Sequence, residues 1–362
     1  MSLHYCLRTA AFALGSSVLT VGLVAGTAMG LATGCGSDSP ANGDAPNGSD
    51  ARIDAPPGAT FKVTWGPLTV APGQEDTRCV DVSVKNAAAI KVHSIHNKLS
   101  SGSHHLIVYR DSLVTTESLT PTPCNPFAGT LQGGAVTPIM VTQKKDDSLT
   151  LPDGVAYTFA ANQFIRLEMH FINTTDAPIE ITATSEFVTM PAADVKNEAD
   201  FLFMGTPDID IAIGQTQTVR RFLRMPAFLS NANIFAITGH THKMGTDMQV
   251  GYSSGYMEPV TSVYKPAAFN WDEPETTFAT PPFRIPADGG FDFQCSYTNT
   301  SGARIRFGES ANDEMCFFWA YYYPSVGSRV CAVTTQVGGP EGYSVCCPDP
   351  ANQAICDRLL GN

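Results

Sequence analysis

The sequence predicts an all-β protein with two antiparallel, jelly-roll-like β-sandwich domains and a disulfide-rich C-terminal tail. Only 15% of the residues are charged, and the 362-residue chain contains 31 glycines and 25 prolines, which is typical of turn-rich β proteins. Short apolar runs alternate with a period of two, and no convincing amphipathic helix interrupts them. The chain is too long for one ordinary hydrophobic core and suits two domains.

The N-terminal segment predicts export. Residues 1–35 contain no Asp or Glu and one basic residue, Arg8, followed by a run of small and apolar residues that ends at Cys35. This pattern is typical of a bacterial lipoprotein signal, whose cleavage leaves Cys35 as a lipidated N terminus in the outer membrane, at the cell surface or in the periplasm. Ordinary signal peptidase cleavage remains open, because Leu31 lies one place further from the cysteine than usual. Residues 36–57 are polar and predict a disordered tether.

A polar, acidic connection near residues 190–200 divides the rest of the chain. We expect an N-terminal sandwich over residues 58–192, a C-terminal sandwich over 193–330 and a Cys-rich tail over 331–362. The first domain's predicted strands are Thr60–Trp65, Arg78–Val84, Ala89–His96, His105–Tyr109, Phe164–Ile172 and Ile179–Phe187. The second domain's are Phe201–Met204, Gln217–Leu223, Asn233–His242, Met248–Gly251, Pro259–Tyr264, Gly290–Asn299 and Cys316–Tyr323.

The charge balance limits the partners. The chain has 34 acidic and 22 basic residues, a formal net charge of -12, and no basic patch with interleaved aromatic residues. This argues against nucleic acid and against anionic membranes. We expect a small-molecule substrate, membrane contact only through the lipid on Cys35, and no protein partner.

Export also decides how the 10 cysteines are interpreted. Cys6 lies in the signal and Cys35 is the proposed lipid site. An even number remains, which in an oxidising compartment favours disulfides over thiolate metal ligands: Cys79, Cys124, Cys295, Cys316, Cys331, Cys346, Cys347 and Cys356. A bridge between the adjacent Cys346 and Cys347 would be strained, so both are expected to bridge to Cys331 and Cys356, in an order that the sequence leaves open.

Paired histidines in each domain suggest metal sites. His240 and His242 follow an apolar run and leave one face of a strand, because side chains at i and i+2 point the same way. The adjacent His104 and His105 can share an ion only if the strand bulges, which the preceding Gly-Ser favours. His170 lies on another strand of the first domain, and three neutral imidazoles suit zinc or copper. Surface or core histidines are the alternative for both pairs.

Met315 is the candidate third ligand in the second domain. A methionine on a strand usually fills a core, but a thioether also favours Cu(I) over zinc. Two imidazoles with one thioether would make a redox copper site.

His104-His105, His170, His240-Thr241-His242 and Asp313-Glu314-Met315-Cys316 occur in an order and at long spacings that resemble the copper type II, ascorbate-dependent monooxygenases. That family includes peptidylglycine α-hydroxylating monooxygenase and dopamine β-hydroxylase, and the resemblance spans roughly residues 60–331. It implies two sandwiches facing across a water-filled cleft, with disulfides Cys79–Cys124 and Cys295–Cys316.

The resemblance also implies two copper ions per chain. His104, His105 and His170 would hold the electron-transfer copper, while His240, His242 and Met315 would hold the copper at which oxygen is used to hydroxylate a substrate C–H bond. Ascorbate or a similar reductant would supply two electrons. The chain would then be a copper-dependent monooxygenase.

The sequence departs from the peptide-amidating members at the substrate positions. Thr238 replaces a carboxylate-binding Arg, and Phe317 and Trp319 replace an Asn and a Tyr. Alternation puts Phe317, Trp319 and Tyr321 on the face of Met315, so we expect a substrate pocket for an apolar or aromatic molecule. The alternative is that this stripe is ordinary sandwich core.

Two other functions stay open at this point. One is a copper-binding lipoprotein of the same fold without turnover, since ligands suffice for binding. The other is a zinc hydrolase, for which Asp247 is the nearest candidate general base to His240 and His242.

Overall fold

The computed structural model describes residues 58–127, 129–130, 135–310 and 312–360, and nearly all of its regular structure is strand. The all-β class is confirmed. The predicted signal, the tether, Cys6 and Cys35 lie outside the described residues. In the described ranges, no helix is both long enough and apolar enough to cross a bilayer.

The strands up to residue 198 form two sheets. They are β1 (Thr60–Val70), β2 (Glu75–Ser83), β3 (Ile90–Leu99), β4 (Ser103–Asp111), β5 (Ser118–Pro123), β6 (Val136–Thr142), β7 (Asp146–Thr150), β8 (Val155–Phe159), β9 (Phe164–Ile172), β10 (Ile179–Met190) and β11 (Asn197–Glu198). One sheet has the order β1-β10-β3-β8-β11, with β7 also paired to β3, and the other has the order β5-β2-β9-β4-β6. We call this part the first half.

The later strands form the second half. They are β12 (Asp200–Thr206), β13 (Asp210–Ile211), β14 (Thr216–Arg224), β15 (Asn233–His240), β16 (Gly245–Ser253), β17 (Thr261–Tyr264), β18 (Thr276–Phe283), β19 (Gly290–Thr298), β20 (Ile305–Arg306), β21 (Cys316–Tyr323), β22 (Arg329–Thr334) and β23 (Tyr343–Cys347). The sheet orders are β18-β15-β21-β12-β22-β23 and β14-β19-β16-β17, with a ribbon of β13 and β20. Short 3-10 helices lie at Ala192–Asp194, Ala227–Leu229 and Pro350–Asn352, and helix α1 is Gln353–Leu360.

Strand β21 shows how alternation builds the core of the second half. Its even-numbered residues, such as Phe318 and Tyr322, pack into the second half's own apolar cluster. Its odd-numbered residues Phe317, Trp319 and Tyr321 pack into a different cluster, which also contains the core of the first half. The aromatic stripe that the sequence suggested is therefore largely packed between the two halves.

The two halves touch directly at this place. The backbone N–H of Val141, in β6, donates to the hydroxyl of Tyr321, in β21, over 3.1 Å. Both halves belong to one compact unit with a shared apolar cluster. A water-filled cleft between two jelly rolls is not confirmed.

The disulfides that the resemblance implied are present, between Cys79 and Cys124 and between Cys295 and Cys316. In the tail the order is Cys331–Cys346 and Cys347–Cys356, so each member of the adjacent pair bridges outward as expected. Within the residues predicted as the tail, β22 pairs with β12 and β23 extends the same sheet.

Candidate metal centre

The first-half histidines meet on the sheet that contains β2, β9 and β4. His105 is the register partner of His170, and the ladder is irregular between Ser103 and His105. Gly102 enables this irregularity: its φ is +83°, and an added Cβ would lie 2.5 Å from Cδ1 of Ile179. The bulge that the sequence required is present, and it brings both adjacent histidines towards His170.

The three rings of this first cluster contact one another. The ring centroids are 5.4 Å apart for His104 and His105, 5.3 Å for His104 and His170, and 5.0 Å for His105 and His170. All three side chains are buried. Oε1 of Glu75 lies 3.0 Å from Nε2 of His170, which leaves Nδ1 as the free nitrogen of that ring. Glu168, two residues before His170, accepts hydrogen bonds from the hydroxyl of Tyr109 and the backbone N–H of Phe127.

The second cluster forms where β15 ends. The rings of His240 and His242 are buried, with centroids 5.1 Å apart. The turn after them is held by the buried carboxylate of Glu314, which accepts hydrogen bonds from the backbone N–H of His242 at 2.9 Å and of Met244 at 2.7 Å. Nδ1 of His242 lies 3.2 Å from the carbonyl oxygen of Asp313.

Met315 lies beside this turn. It precedes β21, where Phe317 is the register partner of His240, so continuing that register would bring Met315 opposite His242. Its carbonyl accepts a 2.7 Å hydrogen bond from the hydroxyl of Tyr297, and the next residue, Cys316, is tied to Cys295. Met315 is 3% exposed, which means that its thioether is inside the protein.

Met315 lines an apolar cavity of about 120 Å³. The cavity also contacts Phe127 from the first half and Phe203, Phe307 and Phe317 from the second. The rings of Phe203 and Phe317 are stacked with centroids 4.9 Å apart. We call this the apolar cavity.

A second, more open cavity of about 380 Å³ borders the first cluster. It is lined by His105, His170 and Glu75, and it shares Phe127 and Glu309 with the apolar cavity. We call this the open cavity.

Burial keeps His105, His170, His240 and His242 neutral. It lowers the pKa of His105 well below the ordinary value, and the neighbouring imidazoles of both halves lower it further. Burial and then His242 lower the pKa of His240 in the same way. Burial lowers the pKa of His170 and of His242 to about 4. Neutral imidazoles are the form that binds metal ions.

Three imidazole nitrogens fit a metal-binding role. Nε2 of His104, Nδ1 of His105 and Nε2 of His240 are buried and have no hydrogen-bond partner in the described structure. Buried polar atoms normally have partners, so these atoms suit an ion. Across the described ranges, no group of three or more His, Cys, Asp or Glu side chains is already arranged to hold a metal ion. The donor set of imidazoles and a thioether is one that copper accepts.

The other predicted positions are placed as follows. The Thr238 hydroxyl is 2.7 Å from that of Thr276, Trp319 packs on His240 with centroids 6.0 Å apart, and only Phe317 of the predicted aromatic wall lines the apolar cavity. Asp247 accepts a hydrogen bond from Gln249.

Sequence reasoning missed a further set of residues around the histidines, because nothing in the local sequence marks them: Glu75, Phe127, Gln143, Phe203, Asp272 and, in its carboxylate role, Glu314.

Comparison with known proteins supports the resemblance. Residues 221–339 of the 362 match the family model described as copper type II ascorbate-dependent monooxygenase, C-terminal domain, so the suspected family is confirmed over that part. This part includes His240, His242 and Met315. No curated protein matches the chain.

Likenesses to solved structures are weak. A protein from Eubacterium rectale described as secreted is 9% identical, with 67% of this chain and 68% of that chain covered and a TM-score of 0.18. The infectious bursal disease virus Gx strain structure is 10% identical, with 77% and 80% covered and a TM-score of 0.17. At these scores, neither likeness bears on fold or function.

Proposed function

We propose that this chain, whose residues 221–339 match the C-terminal domain of the copper type II ascorbate-dependent monooxygenases, is an exported dicopper monooxygenase. It would hydroxylate a C–H bond of a small apolar or aromatic substrate with O2 and a reductant such as ascorbate. The balanced reaction converts the substrate RH, O2, two electrons and two protons into ROH and water.

The observation that carries the proposal is the set of five buried imidazoles, three of which have a ring nitrogen without a hydrogen-bond partner. His104, His105 and His170 would hold one copper ion, and His240, His242 and Met315 the other. Copper held there would supply one-electron redox chemistry and the activation of dioxygen. The chain supplies the donors, and it orients His170 and His242 through the Glu75 carboxylate and the Asp313 carbonyl oxygen, which contact their other ring nitrogens.

The apolar cavity would bind the substrate beside Met315. Its volume of about 120 Å³ is smaller than the roughly 150 Å³ of an engineered cavity that binds benzene, so it suits a group of at most about that size. The described residues that line it include four phenylalanines and no Arg or Lys. A substrate carboxylate would have no cationic partner there, which supports an apolar or aromatic substrate.

The open cavity would serve the reductant. It lies against His105 and His170 and is wider and more polar than the apolar cavity, as a water-soluble electron donor requires. The four disulfides support an oxidising, extracytoplasmic location, in keeping with the predicted lipid anchor at Cys35.

The test is copper stoichiometry followed by oxygen uptake. We expect two copper equivalents per chain and ascorbate-dependent O2 consumption that a panel of aromatic and aliphatic amines, alcohols and acids stimulates selectively. The His242→Ala variant, assayed alongside, should lose one copper equivalent and the uptake. Copper binding without substrate-dependent uptake would instead indicate a copper-binding lipoprotein without turnover, and one zinc equivalent with no copper would indicate a zinc hydrolase.

A further inference from the structure

Each half of the protein sends a polar side chain to a histidine of the other half. Gln143 directly follows β6 in the first half, and its Oε1 lies 2.9 Å from Nδ1 of His240 in the second. Asp272 belongs to the segment between β17 and β18 in the second half, and its Oδ1 lies 3.6 Å from Nδ1 of His104 in the first.

The Gln143 amide is oriented by a second contact. Its Nε2 donates to the carbonyl oxygen of Trp271 over 3.4 Å, so its Oε1 faces His240 as an acceptor. Nδ1 of His240 must then carry the proton, and Nε2 carries the lone pair. That Nε2 is the buried atom without a partner, so the amide presents the nitrogen that a metal would use.

Trp271 and Asp272 act similarly on His104. The Trp271 ring packs on the His104 ring with centroids 5.9 Å apart, which limits its rotation. The Asp272 carboxylate is slightly too far for a hydrogen bond but near enough to favour a proton on Nδ1. The unpartnered nitrogen of His104 is again Nε2.

We propose that Gln143 and Asp272 are positioning residues that act between the halves. Each orients a histidine of the opposite half for copper binding. This inference rests on the proposed function. It adds that neither cluster is complete within its own half, because the group that fixes one of its imidazoles comes from the other. Removing a residue that orients a metal-binding histidine typically lowers metal affinity about 10–100-fold.

The test measures copper affinity at one cluster at a time in the full-length chain. A His170→Ala background leaves the second-half cluster, and a His240→Ala background leaves the first-half cluster. Gln143→Leu should weaken Cu(II) binding about 10–100-fold in the first background and change it little in the second. Asp272→Ala should do the reverse. The readouts are equilibrium dialysis and the Cu(II) EPR spectrum, both independent of turnover.

Further variants separate positioning from folding. Gln143→Asn keeps the amide but withdraws the oxygen from His240, so it should act like Gln143→Leu; Gln143→Glu keeps an acceptor oxygen there and should retain most of the affinity. The exposed Gln215→Leu and Asp153→Ala are matched controls. The inference would be overturned if a substitution weakened copper binding only at the cluster of its own half. Equal weakening at both clusters, or no weakening at either, would also overturn it. Absence of copper from the wild-type chain would instead refute the proposed function.

Discussion

Glu75 and His170 form a carboxylate–imidazole pair, with Oε1 3.0 Å from Nε2. The two residues lie on neighbouring strands of one sheet, β2 and β9, so the backbone fixes their separation. The contact occupies Nε2 of His170, so Nδ1 is the nitrogen of that ring that remains to bind a metal ion.

Glu75→Ala should therefore weaken copper binding at the first cluster by about 10–100-fold, the usual cost of losing such a partner. The measurement is Cu(II) dialysis in the His240→Ala background. Glu180, exposed on β10 of the same half, provides the control substitution Glu180→Ala. Unchanged affinity would show that His170 needs no orienting carboxylate.

Met315→Ile should abolish hydroxylation while the fold persists. The exchange removes the thioether but nearly conserves volume, so the loss of stability should stay below about 1.5 kcal/mol. Oxygen uptake and thermal unfolding measure the two effects. Met204→Ile, at a buried position in β12 that faces the other apolar cluster, is the matched control and should keep turnover. Turnover by the Met315→Ile variant would remove the thioether from the site.

Glu314 should be among the most sensitive acidic positions for stability. Its carboxylate accepts hydrogen bonds from the backbone of both His242 and Met244 inside the protein. Glu314→Ala leaves each N–H without its acceptor, at a cost of about 1–3 kcal/mol apiece. Urea unfolding measures the change, with the exposed Glu258→Ala as reference. A loss no greater than that of the reference would mean that water replaces the carboxylate.

Protonation of Asp208 should contribute to the loss of folding stability at low pH. Burial alone would raise its pKa, but hydrogen bonds from Thr335 and Thr334 and the charge of Arg221 hold the pKa below the ordinary value. Because the pKa is lower in the folded state, the ionised carboxylate stabilises the fold. This contribution is fully present above the pKa of the unfolded state, about 4, and is lost as the pH falls through the pKa of the folded state.

The Asp208→Asn variant should therefore lose stability near neutral pH and show a shallower decline of Tm below about pH 4 than the wild type. Thermal unfolding across this range measures both effects. Asp153→Asn, at an exposed position, controls for the change in net charge. Parallel Tm curves for Asp208→Asn and the wild type would contradict the prediction.

Strand β10 shows why some strands could be predicted from the sequence. The burial pattern of β10 alternates along most of its length, and its period-two signal was correspondingly strong. Two of the missed strands have weak signals. Strand β7 buries a single residue, and β6 contains Pro138, a residue type that argues against a strand.

The histidine groups could also be predicted, since i and i+2 spacing and the bulge before His105 are local properties. Their supports could not. The contact between Gln143 and His240 joins residues 97 apart in sequence, and only the packing of the two halves brings them together. A lone glutamine after a strand carries no local signal of such a role.

The apolar cluster that spans both halves has a consequence for how the protein melts. Phe201, Phe235 and Tyr321 of the second half share it with Trp65 and Phe187 of the first. Cutting the chain between the halves would leave each fragment with an exposed aromatic surface. Neither fragment should therefore be soluble and well folded alone. Calorimetry of the intact chain should accordingly record one cooperative endotherm instead of two.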